Sequence, residues 1–173
     1  MTDHVLRPMR QSDLEQVLTW RNHPSVRRYM FSAHVIGLDE HREWYHRTSE
    51  SPVVTHLIYE QKGLPCGFVN ITRTRCADIA DWGFYLAPDA PRGSGRALGE
   101  NALHYAFVKL KLHKVCGQAL RFNTRSIAFH KRLGFTEEGC LRDQHFTGSK
   151  FHDVICFGLL SDDWRMVRGE RND

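Results

Sequence analysis

The segment with the plainest chemical use is Arg92-Gly93-Ser94-Gly95-Arg96-Ala97, which follows a Pro88-Asp89-Ala90-Pro91 loop and opens a run of helical spacing. Glycines there let the main chain approach a ligand, and the first amides of a helix lack carbonyl partners, so the spot suits phosphate. Arg92 and Arg96 can add charge. No G-K-S/T follows, which excludes a Walker A loop, and the full G-x-G-x-x-G of dinucleotide folds is missing. As a bare pattern the segment suits a solvent-facing turn equally well. Eleven histidines and five cysteines invite a metal reading. There is no H-E-x-x-H, no C-x-x-C and no Cys/His cluster at zinc spacing, only His41 and His46 near each other, so no metal is expected.

The elements that must position these residues can be read from periodicity. Val5 to Pro8 is a short strand, and Ser12-Asp13-Leu14-Glu15 is a capping box opening a helix with Leu14, Val17 and Leu18 on one face, ending near Asn22-His23-Pro24. A second helix is expected from Asp39, as its cap, to about Arg47. Strands then run over Val53 to Tyr59, Gly67 to Thr74 and Ile79 to Leu86, with a turn at Gln61-Lys62-Gly63. After the glycine loop, Leu98, Ala102, Leu103, Ala106, Phe107 and Leu110 mark a long helix. Val115 to Leu120 is a strand, and Asn123 to Leu133 a short helix stopped by Gly134. Phe135 to Leu141 and Phe151 to Leu160 form a final antiparallel pair. The order is β-α-α-β-β-β-α-β-α-β-β, a mixed α/β domain expected to occupy residues 1–173 as one unit.

Composition narrows the function classes. Apolar residues make up 41% and charged residues 25%, ordinary for a globular domain. The longest apolar run, Val154 to Leu160, is far short of the roughly 20 residues that span a bilayer, and the start of the chain has no apolar leader core, so neither membrane nor export is expected. Unpaired cysteine spacing suits a reducing cytoplasm. The net charge of +4 is dispersed rather than gathered into a stripe, which argues against nucleic acid while remaining compatible with small polyanions.

Two motifs together carry a resemblance. Arg92-x-x-Gly95-x-Ala97 resembles the pyrophosphate-loop motif Q/R-x-x-G-x-G/A of the GNAT N-acetyltransferases, placed between the fourth strand and the third helix. Asn123-x-x-Ser126 followed by Leu133-Gly134-Phe135 resembles that family's N-x-x-S and L-G-F signature. The resemblance implies a GNAT fold, a mixed and mostly antiparallel central sheet flanked by helices, with acetyl-coenzyme A as co-substrate. It implies that amides from Gly93 to Ala97, with Arg92, hold the pyrophosphate. It also implies that Phe84, Tyr85 and Leu86 splay from the Val115 strand to admit pantetheine, and that Asn123, Ser126 and Phe129 line the cofactor. Trp20-Arg21-Asn22-His23-Pro24, Met30-Phe31, Glu40-His41-x-x-Trp44, Gly67 to Ile71 and Trp82 to Tyr85 are similar to the N-acetyltransferases of pseudaminic acid biosynthesis. That likeness implies acetylation of the 4-amino group of a UDP-linked 4-amino-4,6-dideoxy-N-acetylaltrosamine, a nucleotide-sugar partner, and a possible homodimer.

Acetyl transfer needs an acceptor amine without its extra proton, a polarised thioester carbonyl and a proton for the departing thiolate. The family's tyrosine acid, five residues before the phenylalanine of L-G-F, is replaced here by His130, which can donate a proton or can simply be packed. A glutamate that related sugar enzymes use as remote base aligns with Gln118, which leaves His41 as candidate base unless the site needs none. Arg21 is a candidate for acceptor phosphate. Met30, Phe31, His41, Trp44 and Tyr85 are candidate acceptor contacts, and Thr72 and Arg73 further phosphate contacts. The alternatives are acetylation of a protein N-terminus or small amine, and a non-catalytic coenzyme A-binding module of the same fold.

Overall fold

The computed structural model describes residues 3–169. Seven strands follow the order β1-β2-β3-β4-β5-β7-β6, with both parallel and antiparallel pairs. The chain packs as two compact units interleaved in sequence. One comprises the residues up to Thr72 together with Gly83–Ala102, the other Arg73–Trp82 together with the chain from Leu103 onward.

In the first unit, β1 (His4–Pro8) pairs antiparallel with β2 (Val54–Gln61), which pairs antiparallel with β3 (Leu64–Arg73). The β2–β3 turn falls on Lys62 and Gly63, both at positive φ, the backbone state a two-residue hairpin of this hand requires. The register sets His56 opposite Asn70 and Ile58 opposite Phe68, so these four side chains share one sheet face. Helices α1 (Leu14–Asn22), α2 (Pro24–Arg27) and α3 (Leu38–Ser49) precede β2. The expected Ser12 cap is displaced: residues 11–13 form a 3-10 turn, and Asp13 accepts from the Arg10 amide at 2.7 Å. Asp13 also accepts twice from the Arg7 guanidinium, at 2.7 and 2.9 Å, while Arg7 Nε donates to Glu60 at 2.6 Å. This half-buried network ties the start of α1 to β1 and β2. Gly37, not Asp39, stands at the cap of α3.

Strand β4 (Ile79–Leu86) contributes its second half to this unit, and α4 (Ser94–His104) most of its length. Helix α4 lies directly on β3: a Cβ at Gly67 would sit 2.6 Å from Leu98 Cδ1, so only glycine admits the fully buried leucine. That contact fixes where α4 begins and hence where its first amides point.

In the second unit, Ile79–Asp81 of β4 run parallel to Lys114–Cys116 of β5 (Lys114–Leu120). Strand β7 (Phe151–Leu160) lies antiparallel between β5 and β6 (Thr136–Phe146). A π-helical turn, Tyr105–Lys109, follows α4. Asn123 caps α5 (Thr124–Arg132) by accepting from the Ser126 amide at 3.2 Å, and Gly134 at φ +91° follows its end. Strand β6 runs beyond its expected end at Leu141, through register shifts. A sixth helix, α6 (Ser161–Arg168), is additional to the expected order and buries Trp164.

Candidate functional site

The glycine loop takes the form its composition suggests. Gly93 adopts φ +91°, Ser94 N–H turns back to Pro91 O and Arg96 N–H to Gly93 O, and the helix proper starts at Ser94. The first-turn amides of α4 lie at the positive end of the helix dipole, and of these Ser94 and Arg96 are already engaged by Pro91 O and Gly93 O. A side chain at Gly95 would meet only Leu86 Cδ1, at 3.6 Å, so a ligand can come close to that main chain. These features fit a diphosphate. Not every residue of the motif faces one: the Ser94 hydroxyl is buried, lies 2.7 Å from both Gln61 Oε1 and Pro91 O, and with its single proton donates to one of them, anchoring the loop to β2. Arg96 is tied to Glu100 on the surface at 2.8 Å, and Arg92 is exposed.

The first unit also holds a connected layer of rings and polar groups. Trp44 on α3 stacks with His41 at 4.9 Å and with His56 on β2 at 4.6 Å between centroids. Phe68 meets Trp44, His56 and Tyr85, the last at 5.2 Å. Arg21 is close enough to Tyr85 and His41 to influence their titration. One face of its guanidinium is held, Nη2 donating to Ser32 O at 2.6 Å. Among the described residues, the buried side-chain polar atoms without a partner in the protein are Arg21 Nη1, His41 Nε2 and Asn70 Oδ1. All three belong to this layer. Buried polar groups are nearly always paired, so three orphans in one layer point to a ligand.

Electrostatically the layer is neutral to positive. Burial pushes the His56 imidazole down to about 4, with His41 adding to the effect. Burial also lowers His41; a main-chain contact with Leu14 opposes this, and Arg21 reinforces it. His41 Nε2 itself has no partner in the protein. Burial raises the Tyr85 phenol and lowers Arg21. The carboxylate that biases Arg21, Glu40, is exposed and hydrogen-bonded to His34 at 2.8 Å.

Sequence reasoning placed Arg21, His41, Trp44 and Tyr85, which the fold brings together. It overlooked His56, Phe68 and Asn70, although a histidine and an asparagine within otherwise apolar strands were a visible signal. Thr72 joins through its hydroxyl, which accepts from Asn70 Nδ2 at 3.1 Å. Met30 is half-buried and Phe31 is 48% exposed. Arg73 does not fit a phosphate contact: its guanidinium donates to the carbonyls of Ala77 and, at 2.9 Å, Leu110, bracing a turn in the second unit.

In the second unit His130 is 1% exposed. Its ring lies parallel to Phe157 at 4.7 Å and edge-on to Trp82 and Phe135. Trp82 Nε1–H donates to His130 Nε2 at 3.1 Å, and His130 Nδ1 contacts Ser126 O at 2.8 Å. Burial lowers its basicity, which the Ser126 contact only partly offsets. The acid role expected of His130 does not match this enclosure. Phe129 stacks with Trp82 at 6.4 Å, and the exposed Gln118 contacts Cys156 Sγ at 3.9 Å. Among the described residues no group of His, Cys, Asp or Glu could hold a metal, and no helix is long and apolar enough to cross a membrane.

A mixed seven-stranded sheet with a glycine-opened helix after its fourth strand is the architecture of the GNAT fold. The Acetyltransferase (GNAT) domain family matches residues 4–136, and the chain belongs to that family. Its co-substrate is acetyl-coenzyme A and its reaction N-acetylation. An N-acetyltransferase of Bacillus subtilis, YokL of the SPbeta prophage, is 37% identical over 91 residues, 51% of each chain, so this chain matches about half of that relative's length. Acetyltransferase PseH of Campylobacter jejuni is 24% identical over 131 residues, covering 74% of this chain and 80% of that one. The crystal structure of spermidine N-acetyltransferase from Vibrio cholerae with CoA and spermine superposes at a TM-score of 0.87 with 23% identity, covering 95% and 99% of the two chains.

Proposed function

We propose that the enzyme acetylates the 4-amino group of a UDP-linked 4-amino-4,6-dideoxy-N-acetylaltrosamine. The observation that carries this reading is the buried layer around Arg21, in which a half-satisfied guanidinium adjoins stacked aromatic rings with no carboxylate among them. Arg21 Nη1 suits a phosphate oxygen, the rings suit a planar base or a deoxysugar face, and Asn70 Oδ1 can accept from an amide or amine N–H. The particular sugar rests on the likeness of the Trp20–Trp44 block to the pseudaminic acid enzymes. The Vibrio cholerae neighbour binds spermine, but a polycation would meet Arg21 here, and Glu40, the carboxylate that acts on Arg21, is exposed and engaged by His34.

In this reading the amine nitrogen attacks the thioester carbonyl carbon, the C–S bond breaks, and the nitrogen's surplus proton passes to His41 Nε2. The amides of α4 hold the donor's diphosphate. The departing thiolate takes its proton from water. The test is thiol release with the UDP-amino sugar, the same sugar without UDP, spermidine and a peptide. The UDP-sugar is expected to exceed the others in kcat/KM by orders of magnitude, because remote contacts position the amine. Arg21→Ala should erase that advantage and scarcely alter the free sugar. Preference for spermidine or for a peptide N-terminus would reject the reading.

A further inference from the structure

The environment of His130 carries an inference that does not depend on which acceptor is used. An indole N–H can only donate, so the Trp82 bond requires a lone pair at His130 Nε2. A carbonyl can only accept, so the Ser126 contact requires the proton at Nδ1. Both partners therefore select one neutral tautomer. A second proton at Nε2 would face the indole N–H head-on. Four rings surround the imidazole, Phe157 parallel and Trp82, Phe129 and Phe135 edge-on, and burial among them disfavours an imidazolium. Strand β5 is built around this pair. At Gly117 a Cβ would lie 2.5 Å from His130 Nε2 and 2.7 Å from Trp82 Nε1.

The same two bonds grip α5 at its first turn. Ser126 is held through its amide by Asn123 Oδ1 and through its carbonyl by His130, while Trp82 fixes that histidine to β4. We propose that His130 is a positioning residue, a tautomer-locked strut that sets the first turn of α5, with Asn123 and Ser126, for coenzyme A, and that it donates no proton in the reaction. The departing thiol is then protonated without this side chain.

The test separates a strut from an acid. In His130→Gln the side-chain carbonyl can still accept from the indole, but an amide cannot serve as general acid. Glutamine is expected to keep kcat within a few-fold of wild type with an unaltered pH profile. His130→Ala and Trp82→Phe are expected to raise KM for acetyl-coenzyme A several-fold with a smaller change in kcat. A fall of 10²-fold or more in kcat for a folded glutamine variant, the size general acids contribute, would overturn the proposal. So would loss of the alkaline limb of its pH profile. Should the variants fail to fold, ¹⁵N NMR of the wild-type histidines still decides. A persistent Nδ1–H tautomer that resists protonation at pH 5.5 supports the strut; an Nε2–H form, or titration near 6.5, refutes it.

Discussion

Replacing Gly117 by alanine puts the Trp82–His130 pair under direct strain, and its cost can be worked from the structure. Gly117 is not among the positive-φ residues, so alanine meets no backbone penalty there. Lowering unfolded-chain entropy would by itself stabilise the protein by about 0.4–1 kcal/mol. The new methyl, however, would lie 2.5, 2.7 and 2.9 Å from His130 Nε2, Trp82 Nε1 and His130 Cδ2, inside van der Waals contact with both rings. Pushing the rings apart costs roughly 1–3 kcal/mol of overpacking. Breaking the 3.1 Å hydrogen bond orphans a buried donor and acceptor for about another 1–3 kcal/mol. Set against that entropy gain, the expected net loss is about 1–5 kcal/mol, or roughly 2–20 °C in Tm for a chain of this length. Urea unfolding measures it as a lower midpoint at unchanged slope. In a Trp82→Phe background no indole N–H remains to be orphaned, so the alanine should cost at least about 1 kcal/mol less. A loss below about 0.5 kcal/mol, or strict additivity, would refute this account of β5.

Gly95→Asp should leave Tm within a few degrees, since its Cβ meets only Leu86 and acidic side chains suit a helix start, yet weaken acetyl-coenzyme A by tenfold or more in calorimetric titration. Acid should destabilise the protein through its buried histidines. His56 has a folded-state pKa near 4 against about 6.5 unfolded, so its contribution is complete above 6.5 and declines as pH falls toward 4. At pH 5 that decline is about 2 kcal/mol before screening and roughly half that for a partly exposed ring, and His56→Phe should remove it from the difference between urea midpoints at pH 7.5 and 5. Asp13→Asn should cost on the order of 2–3 kcal/mol by chemical denaturation, because Arg7 loses its two-pronged partner.

How much of this was legible depended on whether the determinant was local. The start of α4 and the cap of α5 were plain, because Gly93, Gly95 and Asn123 act on the backbone within a few residues of themselves. The cap of α1 was misplaced because Asp13 is chosen over Ser12 by Arg7, an ion pair between segments that no local pattern reveals. His56 and Asn70 were overlooked for one reason. A sequence block suggests a site by continuity, whereas the layer is assembled across the β2–β3 register, in which residues fourteen positions apart become neighbours. His130 was identified by position, but its enclosure could not be read, because its bond to Trp82 spans 48 residues.

The unpartnered polar atoms of the first unit bear on how the protein would respond to selection for heat resistance. Each buried donor or acceptor without a partner costs about 1–3 kcal/mol, while the net stability of a domain is only about 5–15 kcal/mol. Arg21, His41 and Asn70 therefore draw on a large share of the margin whenever no ligand is bound. Variants that replaced them with apolar groups of similar volume would tend to rise in melting temperature. A screen that scored survival after heating alone would enrich for such variants and return robust proteins that had lost the acceptor site. Only a screen that also demands turnover would keep this costly polarity in place.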